Sequence, residues 1–273
     1  MSDMVNFWVD IYNYTKLLFL DCKKSLWKIV VCLFILIFGV ITASEYTSIL
    51  NTSNSIPDVF NNLFTKGSLI TLTVPLFLFF LSFVIPVIID PLRLARIKER
   101  KTIGSIMILS VLITVIVFLC IYFICGFLYG WWKSGSLENL WVTEAGTPFK
   151  QSKGQVDLSL FSTGNMILRY TVTEFFAFMA IGLLTAFLYL LVSRYVLVFF
   201  IVVGFVLLDT VIQSLFHFTF ILLQAAVTLD GWGNNATFFG NVLYFFGIIL
   251  ILCLGIYIAA SKRDFIPISE END

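Results

Sequence analysis

The chain has 273 residues, of which 59% are hydrophobic and 17% aromatic, while only 12% are charged. Its mean hydropathy of +0.98 and its thirty phenylalanines exceed what the core of a soluble protein of this size can bury, so the sequence predicts an all-α integral membrane protein. The formal net charge is zero, which gives no support to a nucleic-acid partner or to an acidic substrate.

Residues 1–25 form the first predicted element, a cytoplasmic amphipathic helix. In VNFWVDIYNYTKLLFLDCKKSLWK, polar residues recur at steps of three and four, while aromatic and aliphatic residues fill the opposite face. A helix of this kind with lysines on its polar face lies in the membrane interface and does not cross it. A soluble helix that packs on a partner is the alternative.

Six apolar stretches follow, and each is long enough to cross a bilayer as a helix. They lie within a transmembrane domain at residues 26–260, near 26–44, 68–89, 104–130, 168–192, 195–214 and 239–260. The connecting segments are expected to be extracytoplasmic loops at 45–67, 131–167 and 215–238, a short cytoplasmic helix at 90–102 and a cytoplasmic tail at 261–273. Lys and Arg are concentrated in the N-terminal segment, the 90–102 connection and the tail, so the positive-inside rule predicts that both termini are cytoplasmic.

The fifth apolar region is too long for one crossing. As a helix, residues 195–228 would extend about 51 Å, against an apolar bilayer core of about 30 Å. Either this helix tilts and projects outward, or the chain breaks near Asp209–Ser214 and re-enters the outer leaflet before span six. Polar residues cluster in that interval, which favours a broken or re-entrant helix between spans five and six.

Few enzymatic chemistries are compatible with this sequence. His217 is the only histidine, so the chain cannot build HExxH or any other paired-histidine zinc site. The sequence also lacks the GxSxG nucleophile motif, the Walker A phosphate loop and GxGxxG. We therefore expect no catalytic site, no metal site and no ATP hydrolysis by this chain.

The polar residues inside the predicted spans are candidates for a functional site. Asp209, Gln213 and His217 stand at i, i+4 and i+8, so they would share one face of a continuous helix. Glu174 lies about one turn into span four. Because an ionisable side chain is costly at membrane depth, it usually faces a bundle interior, a partner or water. We expect these four residues to line a translocation path or ligand pocket, and hydrogen bonding between helices is the structural alternative.

The connection DPLRLARIKERKTIG, residues 90–104, concentrates positive charge between spans two and three. Its first residue, Asp, can cap free backbone N–H groups, and the Pro that follows needs no donor at the first helical position, so a short helix is predicted. Arg93, Arg96 and Arg100 fall on one narrow face of that helix. A signal that only orients the chain needs no such alignment, which favours a contact surface.

The whole pattern resembles the membrane subunit of an ABC-2-type ABC transporter. The likeness covers the N-terminal interfacial helix, six spans, a short basic helix between spans two and three, and a helical break between spans five and six. RIKERKTIG, residues 96–104, is similar to the family's charged stretch that ends in glycine before span three. The 131–167 loop departs from the family pattern, because it is longer than the usual link between spans three and four.

This resemblance implies a division of labour between subunits. The chain itself would bind no cofactor, and ATP and Mg²⁺ would be held by a separate cytoplasmic ABC ATPase subunit. Its other partners would be a second membrane subunit, identical or related, and the lipid bilayer. The resemblance implies that five residues couple to the ATPase: Arg93, Arg96, Lys98, Glu99 and Arg100. The expected activity is export of amphipathic peptides, lipids or lipid-like compounds.

Two other classes of membrane protein are alternatives to the exporter. One is a non-transporting immunity, assembly or scaffold factor that acts through its extracytoplasmic loops. The other, a secondary transporter, needs polar residues at mid-membrane in both halves of the chain, and spans one to three are nearly free of them. Rich usage of Ile, Phe, Lys and Asn is typical of a low-GC bacterium, so we expect a multi-pass protein of the plasma membrane of a Gram-positive cell.

Overall fold

The computed structural model describes residues 26–48, 55–63, 66–89, 100–151, 158–216 and 235–262. Across these ranges the chain forms helices and turns and no strand, which confirms the all-α prediction for this part of the chain. The predicted interfacial helix at 1–25, most of the predicted 90–102 helix and nearly all of the tail lie outside the described residues.

The fold is a sequence of helices of very different length. In chain order the α-helices are α1 (Leu26–Ser48), α2 (Ile56–Leu63), α3 (Lys66–Ser68), α4 (Val74–Leu81), α5 (Ile85–Ile88), α6 (Arg100–Ser134), α7 (Thr147–Gln151), α8 (Thr163–Val192), α9 (Tyr195–Phe216) and α10 (Asn235–Lys262). A π-helix, Leu69–Thr73, joins α3 to α4, and 3-10 turns lie at Leu140–Val142 and Leu158–Phe161.

Apolar helices dominate the described part of the chain. Within it, four helical stretches are long and apolar enough to cross a membrane: Leu69–Ile88, Thr102–Ser134, Thr163–Val192 and Asn235–Lys262. Two further helices, α1 and α9, carry shorter apolar runs, Leu33–Thr42 and Tyr195–Asp209. The chain therefore has the make-up of an integral membrane protein, while the number of six spans and their orientation stay predictions.

Helix α8 lies at the centre of the bundle, where it packs against α6, α9 and α10. The rings of Phe77 on α4, Phe118 on α6 and Phe178 on α8 meet with centroids 5.0–5.4 Å apart. Gly182 permits close approach of α8 to α6, because a Cβ at this position would lie 2.6 Å from Cγ1 of Val111. These contacts form a tightly packed interior around the middle of α8.

The predicted second span is a segmented helix. Pro75 and Pro86 each lie at the second position of a segment, α4 and α5 respectively, and neither can donate an N–H to the preceding turn. Before Pro75 the turns widen into the π-helix, and before Pro86 the chain tightens through residues 82–84. There the N–H groups of Phe83 and Val84 bond three residues back, at 3.2 and 3.0 Å. The uniform apolar run at 68–89 therefore does not produce one uniform helix.

A two-residue turn reverses the chain between α8 and α9. Ser193 adopts the left-handed conformation at φ 62°, and its N–H donates to the carbonyl of Tyr189 at 3.0 Å. A residue in this conformation ends a helix by satisfying a carbonyl of its last turn. Helices α8 and α9 are consequently antiparallel neighbours.

Helix α9 is continuous through the interval in which a break was expected. It runs to Phe216, so the predicted break near Asp209–Ser214 is wrong for that interval. Asp209 fits within the helix because its side chain is buried in the bundle, with 1% of its surface exposed. Residues 217–234, where a re-entrant segment would lie, are beyond the described part of this region.

One end of the bundle carries a folded cap, which we define as α2 together with residues 135–151 and 158–162. The predicted loops 45–67 and 131–167 contribute these residues, and they contain α2, α7 and both 3-10 turns. The cap lies where α6 ends and α8 begins. It is therefore a structured layer and not an extended loop.

Candidate functional site

Glu174 is the most deeply placed ionisable residue of α8. It lies eleven residues after the start of that helix at Thr163, about 16 Å along the axis. Only 1% of its surface is exposed, and its Oε2 atom has no hydrogen-bond partner among the described residues. A carboxyl group in this position is expensive unless it is neutral or meets a charged ligand.

Two tyrosines are the electrostatic neighbours of Glu174. Tyr122 reaches it from α6, and Tyr170 lies one turn earlier on α8. The Tyr122 hydroxyl shares a 2.9 Å hydrogen bond with Oγ1 of Thr73, and the Tyr170 hydroxyl donates to the carbonyl of Phe60 at 3.2 Å. The carboxyl of Glu174 thus belongs to a cluster of buried polar groups from α6, α8 and the π-helix, tied through Tyr170 to α2.

Arg169 precedes Glu174 by five residues but points elsewhere. Five residues correspond to a rotation of about 140° on an α-helix, so the two side chains leave α8 on different faces. An Nη2 hydrogen of Arg169 is donated to Oδ1 of Asn235, and the guanidinium lies 5.2 Å from the centre of the Phe238 ring. Arg169 therefore joins α8 to the first turn of α10 and forms no described ion pair with Glu174.

The second buried carboxyl of the membrane-type helices belongs to Asp209. Its side chain is 1% exposed on α9, and it interacts electrostatically with Tyr244 of α10. Tyr244 itself is 45% exposed, so this pair lies nearer to the surface of the bundle than Glu174 and Tyr122, whose side chains are almost fully buried. Glu174 and Asp209 therefore have different tyrosine neighbours.

The structure describes little of the other two residues on the predicted polar face, Gln213 and His217. Gln213 lies on α9, four residues after Asp209, but its side chain is outside the described set. His217 falls in the segment 217–234, which the structure does not describe. The predicted shared face of Asp209, Gln213 and His217 stays a prediction.

The predicted coupling residues fall at the edge of the described structure. Arg93, Arg96, Lys98 and Glu99 lie outside the described residues. Arg100 is exposed and is the first residue of α6, a helix of 35 residues. The last of the five coupling candidates thus lies on the long apolar helix.

A third buried carboxyl group, that of Asp58, holds the cap together. Its Oδ1 accepts hydrogen bonds from Nε1 of Trp141, at 2.9 Å, and from Oγ1 of Thr147. Its Oδ2 accepts from the hydroxyl of Ser55 and from the Ser55 N–H, the latter at 3.3 Å. Four donors surround a side chain that is 2% exposed, so every carboxylate oxygen is satisfied.

Sequence reasoning did not identify Asp58, Tyr122 or Tyr170. A local signal exists for Asp58, because Ser55-Ile-Pro-Asp58 is the pattern of a capping box, in which the first and fourth residues bond each other at a helix start. No local pattern shows that the same carboxylate also binds a tryptophan in the cap. The tyrosines carry no signal of their own, since aromatic residues are common throughout this chain.

Metal binding has no candidate site within the described ranges. No group of three or more His, Cys, Asp or Glu side chains that could hold a metal ion occurs among these residues. Comparison of the chain with known protein families, with curated proteins and with solved structures finds no match.

Proposed function

We propose that this chain is the membrane-spanning subunit of an ATP-driven exporter. It would cross the plasma membrane six times with both termini in the cytoplasm, pair with a second membrane subunit, and receive energy from a separate ABC ATPase. The cap would then face outward. Amphipathic peptides, lipids or lipid-like compounds are the proposed substrates.

The observation that carries this proposal is the presence of two buried carboxyl groups on helices of membrane-spanning type. Glu174 on α8 and Asp209 on α9 are each 1% exposed. Ionisable side chains are rare at such depth, and where they occur they commonly mark a substrate or ion path. Helix α8 packs directly against α9, so both groups lie on adjacent elements from which a path can be formed.

A mechanical argument supports ATPase coupling at the basic segment. Arg100 begins α6, and α6 runs without interruption to Ser134 at the cap. Along its length α6 packs against α1, α2, α8 and α10. A push on residues 90–99 by an ATPase would therefore be transmitted by one rigid helix to most of the bundle.

The direct test is co-purification with an ABC ATPase encoded beside this chain. The triple variant Arg93→Glu/Arg96→Glu/Arg100→Glu should insert and fold normally, fail to retain the ATPase and fail to stimulate ATP hydrolysis. Lys150→Glu is the control, because Lys150 is exposed on α7 in the cap. If the folded triple variant recruits and stimulates the ATPase as well as the wild type does, the coupling assignment is wrong.

The cap favours a second candidate function, that of a non-transporting immunity, assembly or scaffold factor. Trp132 and Leu137, at the junction of α6 and the cap, are 78% and 65% exposed, while Asp58 fixes the backbone that follows them. A rigid surface with exposed apolar side chains is suited to holding a partner. In that case Trp132→Ala/Leu137→Ser should abolish activity, whereas charge reversal of the basic segment should not.

A further inference from the structure

The carboxyl of Glu174 is enclosed on all sides by the closed bundle. Its surface is 1% exposed, and Oε2 has no hydrogen-bond partner in the described part of the chain. Tyr122, its neighbour from α6, is itself fully buried and stacks on Phe118 with ring centroids 5.6 Å apart. The carboxyl group of Glu174 is therefore buried beside the packed aromatic side chains of α6.

Within the described part of the chain, the titratable groups beside Glu174 do not compensate an anion. From α6 and α8 the facing titratable groups are Tyr122 and Tyr170, which are neutral hydroxyls. Arg169 is bonded to Asn235 and stacked on Phe238 of α10.

Among the described side chains, the other helices that pack on α8 do not supply a cation beside Glu174 either. On α9 the titratable groups are Asp209 and Tyr195; Tyr195 bonds the carbonyl of Leu78, and Asp209 interacts with Tyr244 of α10. The remaining titratable groups of α10 are Cys253, Tyr257 and Lys262, and only Lys262, the last residue of that helix, is cationic. The segment α3–α5 contributes Thr73, a neutral hydroxyl, to the cluster. A buried carboxylate without a cation is far more costly than a neutral carboxyl group.

We propose that Glu174 is a proton-binding site, which holds a proton in the closed bundle beside the hydroxyl pair of Thr73 and Tyr122. The ligand is the proton itself, taken from water and bound to the carboxylate. Release requires α6 and α8 to separate at this level, because an exposed acceptor for the proton is reached only then. Proton occupancy of Glu174 is thus linked to closure of the bundle, whatever molecule the protein moves or binds.

Infrared difference spectroscopy of the full-length protein in lipid nanodiscs tests this assignment. Subtracting the spectrum of Glu174→Gln from that of the wild type at neutral pH should leave one carbonyl band of a protonated carboxyl group. That band should shift in heavy water after prolonged exchange. Asp209→Asn is the matched control and should retain the band. A difference spectrum that contains only carboxylate bands would overturn the proposal.

A second measurement uses only the wild-type protein, so it remains valid if Glu174→Gln does not fold. Wild-type protein grown with glutamate labelled with carbon-13 at the side-chain carboxyl should show the protonated-carboxyl band displaced at a pH well above about 4.3, the ordinary value for glutamate. Absence of any label-sensitive protonated band contradicts the proposal. Loss of the band on addition of sodium or potassium ions also contradicts it, and would assign the site to a metal cation.

Discussion

The indole Nε1–H of Trp141 donates a 2.9 Å hydrogen bond to Oδ1 of Asp58, and neither side chain is more than 2% exposed. The two residues are 83 positions apart in the sequence. Their bond attaches the cap segment after α6 to the short helix that precedes the segmented span. One carboxylate thereby holds together two parts of the cap that are distant in the sequence.

Asp58→Asn should destabilise the cap by roughly 2–4 kcal/mol. The asparagine side chain has an NH₂ group in place of one carboxylate oxygen, so the donors that bonded that oxygen lose their acceptor. We expect faster protease cleavage within 135–162 and a lower thermal unfolding midpoint in detergent. Glu138→Gln removes an exposed carboxylate of the same cap and should change the free energy of unfolding by no more than about 0.5 kcal/mol. Equal cleavage rates for the two variants would show that Asp58 does not hold the cap.

The helix limits near Val192 and Tyr195 follow directly from the sequence. Ser193 and Arg194 interrupt two apolar runs, and the helices end and begin at the residues predicted from that interruption. The segmented span was not predicted, although Pro75 and Pro86 are visible in the sequence. Mean hydropathy responds to side-chain polarity, whereas the segmentation comes from missing backbone N–H donors.

The buried carboxyl groups could likewise be predicted from the sequence, but their neighbours could not. The sequence identified Glu174 and Asp209 as ionisable groups inside apolar runs, which needs only residue type and position. Their tyrosine neighbours depend on how α6, α8 and α10 are rotated against one another, and no local pattern encodes that rotation. Trp141 illustrates the same point, because a tryptophan close to a span end can lie in an interface or be buried in a cap.

Gly146→Ala should also loosen the cap. A Cβ at Gly146 would lie 2.5 Å from the carbonyl oxygen of Leu140 and 2.7 Å from Cα of Trp141, and these backbone atoms cannot swing away as a side chain can. We expect a loss of about 1–3 kcal/mol, measured as the unfolding midpoint and as protease sensitivity.

Gly164→Ala provides the comparison for that variant. A Cβ at Gly164 meets nothing within 4 Å, and the residue lies in the first turn of α8. Alanine should leave stability unchanged or raise it by up to about 1 kcal/mol, since it is the better helix former. Equal destabilisation by both substitutions would mean that glycine flexibility, and not close packing, matters at Gly146.

The hydroxyl pair of Thr73 and Tyr122 should appear as a coupling energy between α6 and the π-helix. Thr73→Val and Tyr122→Phe each keep the side-chain shape and remove one partner of the 2.9 Å bond. The double variant should be less destabilised than the sum of the single variants by roughly 0.5–1.5 kcal/mol. Unfolding in a mixed detergent titration measures all four species, and strict additivity would show that the two hydroxyls do not interact.

Arg169 should be the main polar attachment of α10 to α8. Arg169→Gln removes both the guanidinium donor to Asn235 and the charge stacked on Phe238, so we expect a loss of roughly 2–3 kcal/mol. Asn235→Ala should give part of that loss, and the double variant should cost little more than Arg169→Gln alone, because one bond is removed twice. Backbone hydrogen exchange should accelerate in the first turns of α10 in each case. Arg194→Gln, at an exposed arginine in the turn between α8 and α9, should leave exchange there unchanged. If the backbone amides of α10 exchange as slowly in Arg169→Gln as in the wild type, apolar contacts alone attach that helix to α8.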